Sequence, residues 1–113
     1  MPATQLPAHL WITAKIRQLN QENTPAYILQ KGEKNSGTLL VKVSKLNGSC
    51  CLYTQMRDLD GNLGWIHALK SDSPNDPEAD AYIARVKSRD PDVWIVEIED
   101  KSGINPFEGK MIL

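Results

Sequence analysis

The chain is poor in the residues that most often carry chemistry. Histidine occurs twice and phenylalanine once in 113 residues, and the two cysteines, Cys50 and Cys51, are neighbours. Adjacent cysteines bridge only through a strained ring, so both read as thiols in a reducing compartment. No C-x-x-C or H-x-x-x-H spacing occurs, which argues against zinc held by Cys50, Cys51, His9 and His67. No apolar run approaches the roughly 20 residues of a membrane span. Met1–Ala8 has neither the basic start nor the long apolar stretch of a signal peptide, so a cytoplasmic chain is expected. Repeats and low-complexity tracts are also lacking. What is present is ordinary for one folded domain: 41% apolar residues, 24% charged residues and a formal net charge of −1.

The densest pattern runs from Asp76 to Asp100. Asp76 suits a helix N-cap, with Pro77 where a missing N–H costs nothing. Glu78 and Asp80 lie at the positive end of the helix dipole, and Arg85, Lys87 and Arg89 near its negative end. Ala79, Tyr82, Ile83 and Val86 make one apolar stripe at helical spacing. Pro91 ends the helix and pushes Asp90 toward extended geometry. A strand follows, with Trp94, Val96 and Ile98 on one face and Val93, Ile95, Glu97 and Glu99 on the other. Its first half is apolar on both faces, which predicts an interior position with the far end emerging into solvent.

Upstream, Pro7 to about Gln21 reads as a helix with Ala8, Ile12, Ile16 and Leu19 as its stripe and Trp11 on the flank. Asn23-Thr24-Pro25 ends it, and Ala26–Gln30 is a short strand. Asn47-Gly48 predicts a tight type I′ hairpin joining Thr38–Leu46 to Ser49–Met56. A two-residue loop would set Val43 opposite Leu52 and Val41 opposite Thr54. That places Leu39, Val41, Val43, Leu52 and Met56 on one face, with Lys42, Cys51 and Tyr53 on the other. Asp60-Gly61 predicts a second hairpin, with Leu63, Trp65, His67 and Leu69 on the face of Met56 and Leu52. The expected fold is α+β in the order α-β-β-β-β-α-β, a mostly antiparallel sheet of about five strands with both helices on one face. Residues 1–100 are expected to form the domain, and residues 101–113 a tail docked by Phe107, Met111 and Ile112.

Charge is divided unevenly. Residues 1–57 hold seven Lys/Arg and two Asp/Glu, and residues 58–113 hold six and twelve. The halves either neutralise each other on packing or leave a bipolar surface that favours association with a second copy. Asp58, Asp60 and Asn62 have the opening of a calcium loop, but Leu63 and Leu69 stand where that loop needs Gly and Glu, so a turn is expected. Asp92 and Glu99 would lie roughly 23 Å apart along a strand, too far to share a metal. Glu97 and Glu99, at i, i+2 on one strand face, are better placed as an acid–base or metal pair, with Asp80 as a third carboxylate. Surface ion pairing accounts for the same residues more simply. Lys31, Lys42 and Lys45, with Lys34, Arg57 and the ring of Tyr53, offer a basic face for single-stranded nucleic acid, which the near-neutral total charge disfavours. Cys51 lacks any base in the sequence that would activate it. Trp11, Trp65 and Trp94 are expected core anchors. Each buried indole N–H needs an acceptor, and one left open marks a contact surface.

Leu10-Trp11 with Arg17, Lys31-Gly32-Glu33, Gly37-x-x-Leu40-Val41-Lys42, Glu78-Ala79-Asp80-Ala81-Tyr82-Ile83-Ala84-Arg85 and the run from Asp90 to Asp100 together resemble the bacterial family grouped as domain of unknown function 1491. The likeness spans nearly the whole chain, with Lys31 where the family pattern carries Arg. It implies a bacterial cytosolic domain and brings no activity with it. The favoured expectation is a non-enzymatic domain working through protein contacts, with a protein partner or a homodimer, and without membrane, metal or cofactor. The alternatives are a carboxylate site at Asp80, Glu97 and Glu99, and nucleic-acid binding through Lys31, Lys42, Lys45 and Tyr53.

Overall fold

The computed structural model describes residues 7–35 and 37–112. The elements follow in the order α1 (Ala8–Gln21), β1 (Ala26–Gln30), β2 (Leu39–Ser44), β3 (Cys50–Arg57), β4 (Leu63–His67), α2 (Asp76–Arg89) and β5 (Trp94–Glu99). The five strands form one sheet, ordered β1-β5-β2-β3-β4. Three neighbouring pairs are antiparallel, and β2 with β5 is parallel. This is the expected α+β class and element order.

The helices do not share a face. Ala8, Ile12 and Leu19 of α1 pack with Leu39, Val41, Val43, Trp94, Val96 and Ile98. Ala79 and Ile83 of α2 pack with Leu40, Leu52 and Ile95, the residues between those on the same strands. Successive side chains leave a strand on opposite sides, so the helices cover opposite faces of the sheet. Every residue of β2 is consequently buried, as expected of a central strand next to a parallel neighbour. Each fully buried Ile, Val or Leu there contributes roughly 1.5–3 kcal/mol.

Two covered faces also change the hairpin register. Lys45 N donates to Ser49 O at 3.0 Å, closing a three-residue loop of Leu46, Asn47 and Gly48. Leu46 and Gly48 both have positive φ, and Asn47 Oδ1 accepts from Ser49 N. Val43 therefore lies opposite Cys51, and Val41 opposite Tyr53. The one-residue slip from the two-residue expectation moves all of β3 to the other face. Cys51 and Tyr53 join the α1 side, while Cys50 and Leu52 lie under α2. The second hairpin carries the slip onward. Trp65 pairs with Gln55 and His67 with Tyr53, so the face of Leu63, Trp65 and His67 is that of Tyr53, not that of Leu52 and Met56.

The cap of α2 is Asn75 rather than Asp76. Its side chain accepts from Glu78 N at 2.9 Å, and Glu78 Oε1 accepts from Asn75 N, a reciprocal capping box. Asp76 is thereby freed to face the sheet. Past β5, Phe107 is buried beside Trp11 and Trp65. Trp65 N donates to Lys110 O, and Ile112 N donates to Trp65 O, so the chain end runs along the outer edge of β4. Met111 contributes main chain there and keeps its side chain exposed. No helix among the described residues is long and apolar enough to cross a membrane.

Candidate functional site

The polar centre under α2 is Lys42. It sits in mid-β2 on the α2 face with its side chain 5% exposed. The parallel register places it level with Glu97 of β5, and the capping box points the first turns of α2 down at it. Lys42 Nζ donates to Asp80 Oδ1 at 2.9 Å and lies 3.4 Å from Asp76 and 3.9 Å from Glu97. The side-chain exposures of Asp76, Asp80 and Glu97 are 33%, 62% and 25%. Burial works against the Lys42 charge, but the hydrogen bond to Asp80 and the charges of Glu97, Asp80 and Asp76 outweigh it and raise its pKa. Burial raises the pKa of Glu97 against the pull of Lys42, and Asp80, Glu99 and Asp76 add to the rise.

Asp80 and Glu97, both nominated from sequence, therefore do converge, through a lysine assigned to a different role. Glu99 stands level with Ser44 and acts on Glu97 only through space. Asp76, read as a cap, is the member that sequence reasoning missed; the signal for it was Asn75 followed by Glu78 three residues on. The ammonium occupies the space between the carboxylates, so a metal cation there would meet Lys42 at close range. No group of three or more His, Cys, Asp or Glu among the described residues could hold a metal.

The nucleic-acid candidates do not form a face. Tyr53 is buried on the opposite side of the sheet, donating to Gly103 O at 2.6 Å. Burial is the main reason its pKa is raised. Lys42 is enclosed by carboxylates, Lys45 donates to Ser73 Oγ, and Lys31 is exposed beyond the end of β1. Lys42 and Tyr53 thus have no surface to offer a strand of nucleic acid. Cys50 and Cys51 are both free and buried, on opposite faces. Desolvation pushes the Cys50 thiol up to about 11, which leaves it inert. Asp58 Oδ1 accepts from Asp60 N and Asn62 N, so Asp58, Asp60 and Asn62 form a turn. The main-chain hydrogen bonds to Asp58 are the chief reason its pKa is lowered.

The tryptophans separate the second feature. Trp94 Nε1 donates to Glu33 O and Trp65 Nε1 to Glu108 O. The half-buried Trp11 makes no indole hydrogen bond among the described residues; its ring meets Phe107 edge-on at 5.8 Å. It lies in an open groove of about 920 Å³ between α1, the start of β2, the β3–β4 end of the sheet and the tail, lined also by Lys15, Gln55, Arg57, Leu63 and Phe107. Met56, Leu59 and Leu63 are exposed around the β3–β4 turn beside it.

Gly32 and Gly37 explain two of the short sequence motifs. Both lie against Asp92 O and the Trp94 ring, and a Cβ on either would fall within 2.3–2.5 Å of that carbonyl. These motifs serve a close backbone crossing and do not point at a ligand.

This architecture is that of an uncharacterised α+β family, and residues 6–108 match the model described as "Protein of unknown function (DUF1491)". The chain belongs to the DUF1491 family. It is similar to the crystal structure of a DUF1491 family protein from Caulobacter crescentus CB15, with TM-score 0.83 and 31% identity over 95% of this chain and 99% of that one. An NMR structure of a DUF1491 family protein from the same organism matches with TM-score 0.82 and 30% identity over 98% and 100%. The solution structure of protein Atu0922 from A. tumefaciens shares the fold, with TM-score 0.67 and 22% identity over 85% and 86%. No curated protein sequence matches the chain.

Proposed function

We propose that this domain is a non-catalytic module that acts by contacting another protein through the groove and the adjoining β3–β4 turn. The observation that carries the reading is Trp11. A large aromatic half-buried in an open groove, with its N–H uncommitted, suits an interface more than a core. Exposed Met56, Leu59 and Leu63 extend the apolar surface beside it. Asp80 and Glu97, two of the three carboxylates that would serve an enzyme, are drawn to Lys42 instead, which supports a structural role for them.

The test is photo-cross-linking in native cells, with benzoylphenylalanine at Leu63 and, as a control, at exposed Lys87 on α2. Adducts of one defined mass at position 63 and none at 87 are expected. Equal labelling at both, or none at either, defeats the reading. Sedimentation over a concentration series decides whether the adduct is a second copy: a strict monomer at high concentration removes the homodimer.

A further inference from the structure

We infer that the groove takes an extended peptide segment of a partner protein, carrying an apolar side chain flanked by carboxylates, which pairs with the main chain of Arg57 at the end of β3. This rests on the contact-module reading and specifies the partner's chemistry. The first support is an unfinished ladder. β3 has eight residues, but its pairing with β2 ends at Leu40 with Thr54. The Lys45–Ser49 hydrogen bond sets the alternation, so Cys51, Tyr53, Gln55 and Arg57 direct their main-chain groups toward β2. At the last step Leu39 N donates to Gln55 Oε1, a side-chain oxygen in place of the strand carbonyl. The main chain of Arg57 lies beyond the end of β2 and borders the groove. An extended peptide there would be held by main-chain hydrogen bonds, the usual basis of strand addition.

The second support is charge. Lys15 makes no ion pair or hydrogen bond among the described residues. The Arg57 guanidinium donates to Gly61 O at 2.6 Å and has no carboxylate partner among them. Both line the groove, against one carboxylate, Glu108. The same groove is lined by Trp11 and Phe107, whose rings meet edge-on and suit an apolar anchor residue. The combination favours a carboxylate-bearing segment over a basic one.

The experiment is a ¹⁵N NMR titration of the full chain with two synthetic probes, N-acetyl-Asp-Leu-Glu-Phe-Asp-amide and N-acetyl-Lys-Leu-Lys-Phe-Lys-amide. The acidic probe is expected to shift the Trp11 indole signal and the Arg57 and Leu63 amides saturably, and to slow exchange of the Arg57 amide. The basic probe leaves them unmoved. Lys15→Glu weakens the acidic probe about tenfold, and Lys87→Glu does not change it. Equal response to both probes, silence at Trp11 and Arg57, or wild-type binding by Lys15→Glu overturns the inference. A Trp11 shift that grows with protein concentration without peptide also overturns it, by assigning the groove to a second copy. If the titration fails while the cross-link at Leu63 persists, the contact module stands and only the acidic extended partner falls.

Discussion

Replacing Lys42 with Met tests the buried centre. The methionine fills much of the same volume but removes the only cation from a group of three carboxylates. Deleting one partner of a buried ion pair costs about 3–5 kcal/mol. Asp80 is well exposed and Asp76 a third exposed, so water takes over much of their solvation. Glu97 bears most of the loss, and the expected cost at pH 7.5 is about 2 kcal/mol after that discount. In a domain of this size that lowers Tm by about 10 °C. The pH dependence has a definite sign. The Glu97 carboxyl is raised above its ordinary value of 4.5 by burial, so the fold favours its protonated form. Its contribution is complete below the unfolded value and is lost as pH rises through the folded one. Removing Lys42 deletes the one influence that lowers it and extends that loss to higher pH. The deficit of Lys42→Met is therefore largest at pH 7.5 and smaller at pH 5. Adding Glu97→Gln recovers more than half of it, because no uncompensated charge is left at that position. Urea unfolding followed by tryptophan fluorescence at the two pH values measures all of this. A single variant within about 0.5 kcal/mol of wild type at pH 7.5, or a deficit equal at both pH values, refutes the reasoning.

Three further outcomes are expected. Asn75→Ala removes the acceptor for Glu78 N and costs about 1 kcal/mol in urea unfolding, whereas Asp76→Asn leaves the cap intact. Gly32→Ala drives a methyl group into the Asp92 carbonyl and the Trp94 ring and destabilises by about 1–3 kcal/mol, read as a lower thermal midpoint. Neither thiol reacts with a disulfide reagent at pH 7 in the folded protein, since both are buried and only roughly one Cys50 in 10⁴ is ionised; both react once urea unfolds the chain.

Local signals were legible where one segment settles its own conformation. The α1 stripe of Ala8, Ile12 and Leu19, the α2 stripe around Ala79 and Ile83, and the alternation of Trp94, Val96 and Ile98 all appear where the spacing puts them. The register of β3 was not legible, because apolar alternation selects a register only when one face alone is buried. With one buried face Leu52 belongs with Val41 and Val43, and a two-residue Asn-Gly loop follows. With a helix on each side, Cys51 and Tyr53 satisfy one face while Leu52 satisfies the other, so hydrophobicity no longer selects a register. The choice passes to Leu46 and Gly48 at positive φ, and a leucine in that conformation is not a signal a sequence offers.

The same cause separated Lys42 from its partners. A lysine in an apolar strand reads as the wet side of a hairpin if that strand has a wet side, and β2 has none. Once α2 closes over Lys42, the charge must be matched on the spot, because an isolated buried ammonium is too costly to keep. The neighbours able to match it come from segments distant in sequence: Glu97 through the parallel register and Asp76 with Asp80 through a cap at Asn75. Opposite charge in the two halves of the chain, visible from the start, is thus spent partly in one interior cluster. The other cations among the described residues have no carboxylate partner, and of these Lys15 and Arg57, both from the basic half, line the groove. Charge taken up inside and charge left open outside follow from one topology, and the second is where the proposed partner would meet the chain.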